Sequence, residues 1–101
     1  MNKSKLKVAV ICLGTVGSGV IKLLRTQKNN IKKRTGIELK VVAVSAKNST
    51  KKRSVDISQI RWVESPLTIA KDPTVDVIVE LIGDMDNTAR KVIREAINNG
   101  K

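Results

Sequence analysis

An α/β fold with an open parallel sheet is the architecture this 101-residue sequence predicts. Three observations lead to it. Short Val/Ile-rich runs alternate with stretches of helical periodicity, the pattern of strands joined by helical crossovers. The apolar residues are thirteen Val and eleven Ile against a single aromatic, Trp62, which suits strands buried on both faces. A glycine-rich turn stands where the first strand gives way to the first helix.

Leu6 to Leu13 is apolar except for Lys7 and reads as a buried strand. The turn Gly14-Thr15-Val16-Gly17-Ser18-Gly19 follows. From there Val16, Val20, Leu23 and Leu24 fall on one helical face, with Ile31 as an extension and Gly36 as the stop. The helix is expected to run through Lys28 or into the Asn-Asn-Ile segment. Leu39 to Val44 is a second β-branched strand, and residues 45–54 form a polar loop. Arg61-Trp62-Val63 reads as a short extended piece. Pro66 suits the first turn of a short helix ending near Lys71, and Asp72-Pro73 marks a turn. Val75 to Ile82 is the third strand, with Asp76 and Glu80 its only charges. Asp86 or Asn87 is placed to cap a last helix with the stripe Ala89, Val92, Ile93, Ala96 and Ile97, and Gly100 ends it. Three main parallel strands with flanking helices result, with no internal repeat or linker.

Composition narrows the function. The longest apolar runs fall far short of the roughly 20 residues of a membrane span. One cysteine, Cys12, cannot staple the fold internally, which suits a reduced, cytoplasmic setting. The net charge of +11 is uneven: residues 1–53 hold fourteen Lys or Arg against one acid, Glu38, and residues 54–101 hold six against eight. Without aromatic residues interleaved to stack on bases, this charge reads as a solvated face rather than a nucleic-acid interface. With no His and scattered acids, neither a metal-ligand cluster nor a nucleophile–base pair stands out, so catalytic and metal sites are read as none.

The glycine-rich turn carries the chemistry. In a strand–turn–helix context, glycines let the backbone approach a pyrophosphate, and the helix N-terminus offers unpaired N–H groups and partial positive charge. The three fingerprint positions are Cys12, Gly14 and Gly17. Cysteine at the first is expected to strain the turn or crowd the ligand, and more as a small apolar residue than as a nucleophile. Gly14 allows phosphate approach, Gly17 allows close helix packing, and Gly19 adds packing room. After the second strand no acid is present between Lys40 and Arg53 to bind a ribose 2′-hydroxyl; Lys47, Lys51, Lys52 and Arg53 stand there instead. Such cations favour NADP over NAD. Gly83 is placed to admit the nicotinamide half, and Glu80 is read as either a structural pairing or a ligand contact.

Leu-Gly-Thr-Val-Gly-Ser-Gly-Val at 13–20, Val-Ser-Ala-Lys at 44–47, Ser-Val-Asp-Ile at 54–57, Arg-Trp-Val at 61–63, Asp-Pro-Thr-Val-Asp-Val-Ile-Val-Glu-Leu-Ile-Gly at 72–83 and Asn-Gly-Lys at 99–101 resemble homoserine dehydrogenases. The resemblance spans nearly the whole chain. It implies a Rossmann-like, NAD(P)-binding segment of an oxidoreductase that interconverts aspartate semialdehyde and homoserine, in threonine and methionine synthesis. It implies cofactor roles for Gly14, Thr15, Val16 and Gly17 at the phosphates, for Lys47 near the adenosine ribose and for Gly83 at the nicotinamide. Relatives have glycine at Cys12 and usually at Asp84. In the family a further strand and a substrate domain follow. Residues 1–101 are therefore expected to form a partial cofactor domain without the substrate domain, inactive alone and prone to self-association through an open sheet edge. The alternative is a non-catalytic nucleotide-binding remnant or regulatory module.

Overall fold

The computed structural model describes residues 4–46, 55–82 and 87–101. Strand β1 (Lys5–Ile11) leads into helix α1 (Thr15–Thr26) and helix α2 (Lys28–Thr35), followed by β2 (Glu38–Ser45). Then come β3 (Arg61–Trp62), α3 (Pro66–Lys71), β4 (Val77–Glu80) and α4 (Thr88–Asn98). The sheet has the order β3-β2-β1-β4, and each pairing is parallel. The three expected strands are thus present, and Arg61–Trp62 adds a fourth by pairing with Ala43 and Val44.

Both faces of the sheet are covered, as the Val/Ile composition requires. On one face Ala9, Ile11 and Ala43 pack with Ile69 and Ala70 of α3, Val75, and Val92 and Ala96 of α4. On the other, Val10, Leu13 and Val44 pack with Ile21 of α1, while Val55, Ile57, Ile60 and Trp62 close the flank. Full burial of an Ile such as Ile21 contributes on the order of 2–3 kcal/mol.

Helix α1 turns a different face inward from the one its apolar residues suggest. Its buried residues are Gly17, Ser18 and Ile21, whereas Val16 and Leu23 are 65% and 57% exposed. The helix approaches the sheet through small residues, so the contact stripe is set by Gly17 rather than by the largest side chains. Gly19 is exposed with no atom within 4 Å of an added Cβ, so it supplies no packing room. Nor does one helix run to Gly36. The chain breaks at Gln27, and α2 buries none of its residues. Gly36 does end α2, in the left-handed conformation at φ 74°, its N–H donating to the Lys32 carbonyl at 2.8 Å.

Strand β4 is shorter than the expected Val75–Ile82, but flanking backbone bonds extend its contact with β1. Asp76 N–H donates to the Lys7 carbonyl, and Leu81 N–H donates to the Ile11 carbonyl. Asn87 takes the N-cap position of α4 with φ 71° and no side-chain capping bond; Asp86 lies outside the described residues. Of the expected α4 stripe, Val92 and Ala96 are buried, while Ile93 and Ile97 are exposed. Gly100 follows the helix at φ 77°. Among the described residues no helix is long and apolar enough to cross a membrane.

Asp72 anchors the turn between α3 and β4. Its carboxylate accepts from Arg61 of β3, and from the Thr74 N–H and hydroxyl at 2.8 and 2.7 Å. The Lys101 ammonium donates to the Asp72 and Val75 carbonyls at 2.6 and 2.7 Å. The Arg61 bond, followed by the Thr74 bonds, holds the Asp72 carboxyl far below the usual carboxylate range. A depressed folded-state pKa stabilises the protein above the unfolded value near 4 and is lost as pH falls through the folded one. Asp72→Asn is therefore expected to cost about 1 kcal/mol at neutral pH. It should also flatten the loss of stability below about pH 4, as urea unfolding across pH will show.

Candidate dinucleotide site

The carboxyl ends of β1, β2 and β4 lie side by side and converge on one edge of the sheet, where open α/β sheets bind ligands. Leaving β1, Cys12 is pinned through its backbone. Its N–H donates to the Ser45 carbonyl at the end of β2 (2.7 Å), and the Ser45 hydroxyl donates to the Glu64 carbonyl (3.2 Å). Cys12 has φ 83°, in the left-handed region that disfavours any residue with a Cβ. The strain expected of a cysteine at this position is thus located in the backbone. The side chain is half-buried, neither the fully buried core residue nor an open thiol.

The reason for that conformation lies one turn into α1. A Cβ on Gly17 would sit 2.0 Å from the Cys12 carbonyl oxygen and 3.1 Å from its carbon. Helix and strand end meet backbone to backbone, and only glycine permits it. Gly17 therefore fixes the position of the α1 N-terminus over the turn. Gly14 plays the other part. It is the N-cap of α1, exposed, with φ −74° and ψ −162°, and an added Cβ there would meet nothing within 4 Å. No side chain caps α1, and no acid occupies its first turn. Thr15 and Val16 are exposed beside Gly14. Among the described residues, a solvent-facing helix terminus with no side-chain cap and no atom within 4 Å of a Cβ added at Gly14 fits the pyrophosphate of a dinucleotide.

Gly14, Thr15, Val16 and Gly17 occupy the N-cap and first turn of α1. Lys47, Gly83 and Asp84 lie outside the described residues, as do Lys51, Lys52 and Arg53. In the sequence, Lys47 directly follows Ala46 and Gly83 directly follows Ile82. Glu80 has a structural partner: its carboxylate accepts the Ile82 N–H and shapes the backbone leaving β4. Ser45 was not singled out by sequence. Its signal is a small polar residue closing an apolar strand, and it is 4% exposed, tying β2 to the Cys12 turn. Among the described residues no group of three metal-ligating side chains forms.

Cys12→Gly is expected to raise stability by about 0.5–1 kcal/mol. Release from the left-handed penalty of roughly 1–2 kcal/mol is partly offset by the greater freedom of glycine in the unfolded chain. It should also tighten dinucleotide binding, because the Cβ leaves a turn that would face the pyrophosphate if the dinucleotide binds at the N-terminus of α1. Thermal unfolding and isothermal titration measure the two effects. Equal or weaker binding by the variant would show that the cysteine is accommodated without cost to the ligand.

A sequence model described as "Homoserine dehydrogenase, NAD binding domain" matches residues 13–101. Homoserine dehydrogenase of Methylobacillus glycogenes is 32% identical over 96 residues, covering 95% of this chain and 23% of its own length. That of Bacillus subtilis is 31% identical over 88 residues, covering 87% of this chain and 20% of its own. Among solved structures, S. aureus homoserine dehydrogenase at pH 7.0 superposes with a TM-score of 0.87 at 32% identity, over 99% of this chain and 25% of that one. The enzyme from Thiobacillus denitrificans gives 0.85 at 34% identity, over 96% and 22%. The chain thus spans about a fifth to a quarter of the relatives it matches. Parallel sheet, glycine turn and matched length agree: the chain belongs to the homoserine dehydrogenase family, within its NAD-binding domain.

Proposed function

We propose that this chain holds the dinucleotide for a homoserine dehydrogenase reaction, the interconversion of aspartate semialdehyde and homoserine that feeds threonine and methionine synthesis. The observation that carries this reading is the uncapped N-terminus of α1, with open space over Gly14 and close packing behind Gly17. The Gly14, Thr15, Val16 and Gly17 backbone would receive the pyrophosphate, and Gly83 would lie against the nicotinamide. When bound, the nicotinamide supplies or accepts the hydride. The chain's own share is to bind, orient and neutralise the cofactor. A lone cysteine suits a reducing, cytoplasmic setting.

We further propose that NADP binds at least as well as NAD, because Lys47 replaces the acid that would bind a ribose 2′-hydroxyl. Titration with both cofactors tests this. Lys47→Glu should weaken NADP by about tenfold or more, the scale of a lost charge-assisted phosphate contact, with a smaller effect on NAD. A clear NAD preference in the unsubstituted protein overturns the assignment.

Self-association belongs to the same proposal. β4 forms one border of the described sheet, and Val77, Ile93 and Ile97 are exposed on β4 and α4. An open parallel edge beside apolar side chains invites pairing with a second copy. Sedimentation at several concentrations should show mass growing with concentration; a monomer throughout overturns it.

A further inference from the structure

We propose that the elbow between α1 and α2 is a docking surface for an acidic, amphipathic segment of a partner protein. The elbow forms where α1 ends and α2 restarts at Gln27, with the Gln27 N–H donating to Leu23 O and the Ile31 N–H donating to Gln27 O, both at 2.9 Å. Leu23, Gln27, Asn30, Ile31 and Arg34 line one shallow groove across this break. Their spacing of three to four residues keeps them on a single face. Leu23 is 57% exposed and α2 buries nothing, so this face contributes little to the core. Asn30 donates to the Gln27 side chain at 2.9 Å, which holds the polar wall of the groove in place.

Charge selects the occupant. Arg34 lines the groove itself, and Lys22, Arg25, Lys32 and Lys33 are exposed elsewhere on the same two helices. Glu38, the single acid among residues 1–53, bonds to Lys28 at 2.9 Å. A second copy of this chain offers this surface no excess of carboxylates beyond the eight that its residues 54–101 set against six Lys or Arg, so the pairing proposed for the β4 edge does not extend to the elbow. A helical or extended segment with carboxylates flanking an apolar residue satisfies both features: the apolar side chain enters beside Leu23 and Ile31, a carboxylate meets Arg34, and further carboxylates are drawn by the cations exposed along the two helices. A polynucleotide has no apolar projection for the groove. A membrane surface asks for an apolar stripe, and α2 offers only Ile31. The elbow lies one α1 length from the Gly14 turn, about 18 Å at 1.5 Å per residue, so partner and dinucleotide would bind together.

The test uses a fluorescent synthetic peptide of about 18 residues, roughly five helical turns, with Leu along one face and Glu elsewhere. A scrambled peptide of the same composition, a thymidine oligonucleotide and phosphatidylglycerol vesicles are titrated in parallel. The striped peptide should bind more tightly than all three. Leu23→Ser should weaken it about fivefold or more, and the double variant Lys33→Glu, Arg34→Glu should weaken it further and reduce its salt dependence. These positions are exposed, and unchanged circular dichroism and dinucleotide affinity will confirm intact folding. No peptide binding, equal binding of the scrambled peptide, indifference to Leu23→Ser, or tighter binding of the oligonucleotide or vesicles each overturns the proposal.

Discussion

Gly17→Ala is expected to unfold the protein or leave it at the margin of stability. The added methyl carbon would lie 2.0 Å from the Cys12 carbonyl oxygen, well inside the roughly 3.3 Å at which carbon meets such an oxygen. Neither partner can step aside cheaply. The oxygen belongs to backbone held by the Cys12–Ser45 bond, and the carbon belongs to a helix whose Ile21 is wholly buried. Moving α1 away by an ångström would open a void around Ile21, Val10 and Val44. Overpacking against backbone with partial cavity formation costs about 3 kcal/mol or more, a large share of the roughly 5–15 kcal/mol that stabilises a domain. Urea unfolding followed by fluorescence of Trp62, half-buried against the same cluster, measures it. A variant as stable as the parent would mean that α1 does not rest on the Cys12 carbonyl.

That same contact explains what the sequence disclosed of the fold and what it withheld. The three long strands were legible because Val and Ile runs bounded by polar turns have few other solutions. Gly36, Gly100 and Pro66 punctuated the helices where their backbone preferences require. Side-chain hydrophobicity points to a face of α1 that the fold leaves exposed, because the helix–strand contact depends on smallness. Val16 and Leu23 are the bulkier residues, but a helix that must bring its N-terminus close to a strand end leads with Gly17 and Ser18. The break at Gln27 carried no Gly or Pro signal. Locally, the Thr26 hydroxyl donates to the Leu23 carbonyl at 3.3 Å, and Gln27 adopts φ −100° and ψ 9°.

The site was legible in its glycines and less so in its strain. Register alone places Cys12 at a glycine position of the fingerprint, and the left-handed φ of 83° supplies the physical meaning: the turn asks for a conformation that favours glycine and holds a cysteine in it. Glu80 could not be assigned from sequence because a carboxylate late in a strand serves a ligand or the local backbone equally well. Its bond to the Ile82 N–H is a two-residue contact that no periodicity encodes. The roles proposed for Lys47 and Gly83 come from their motifs, Val-Ser-Ala-Lys at 44–47 and Glu-Leu-Ile-Gly at 80–83.

Gly14→Asp is expected to separate folding from binding in the opposite sense to Gly17→Ala. Gly14 has an ordinary extended backbone and open space where a side chain would go, so the fold can accept aspartate. Aspartate is also a better N-cap than glycine and places negative charge at the positive end of α1, which should raise stability by a few tenths of a kcal/mol up to about 1. The groups it would cap are the first-turn N–H groups of α1, the donors proposed for the pyrophosphate. The carboxylate would both occupy those donors and repel the incoming phosphates at short range. Dinucleotide affinity should fall about 100-fold or more, equivalent to roughly 2.8 kcal/mol. Gly14→Ala, which adds bulk without charge, should bind with an affinity between those of the parent and Gly14→Asp, and should lower stability by about 0.5–1 kcal/mol because alanine is a poorer N-cap than glycine. Calorimetric titration with NAD and NADP, beside thermal unfolding of the same samples, reads both quantities. If Gly14→Asp is stable and still binds either cofactor like the parent, the pyrophosphate does not sit at the N-terminus of α1, and the roles proposed for Gly14, Thr15, Val16 and Gly17 fail together.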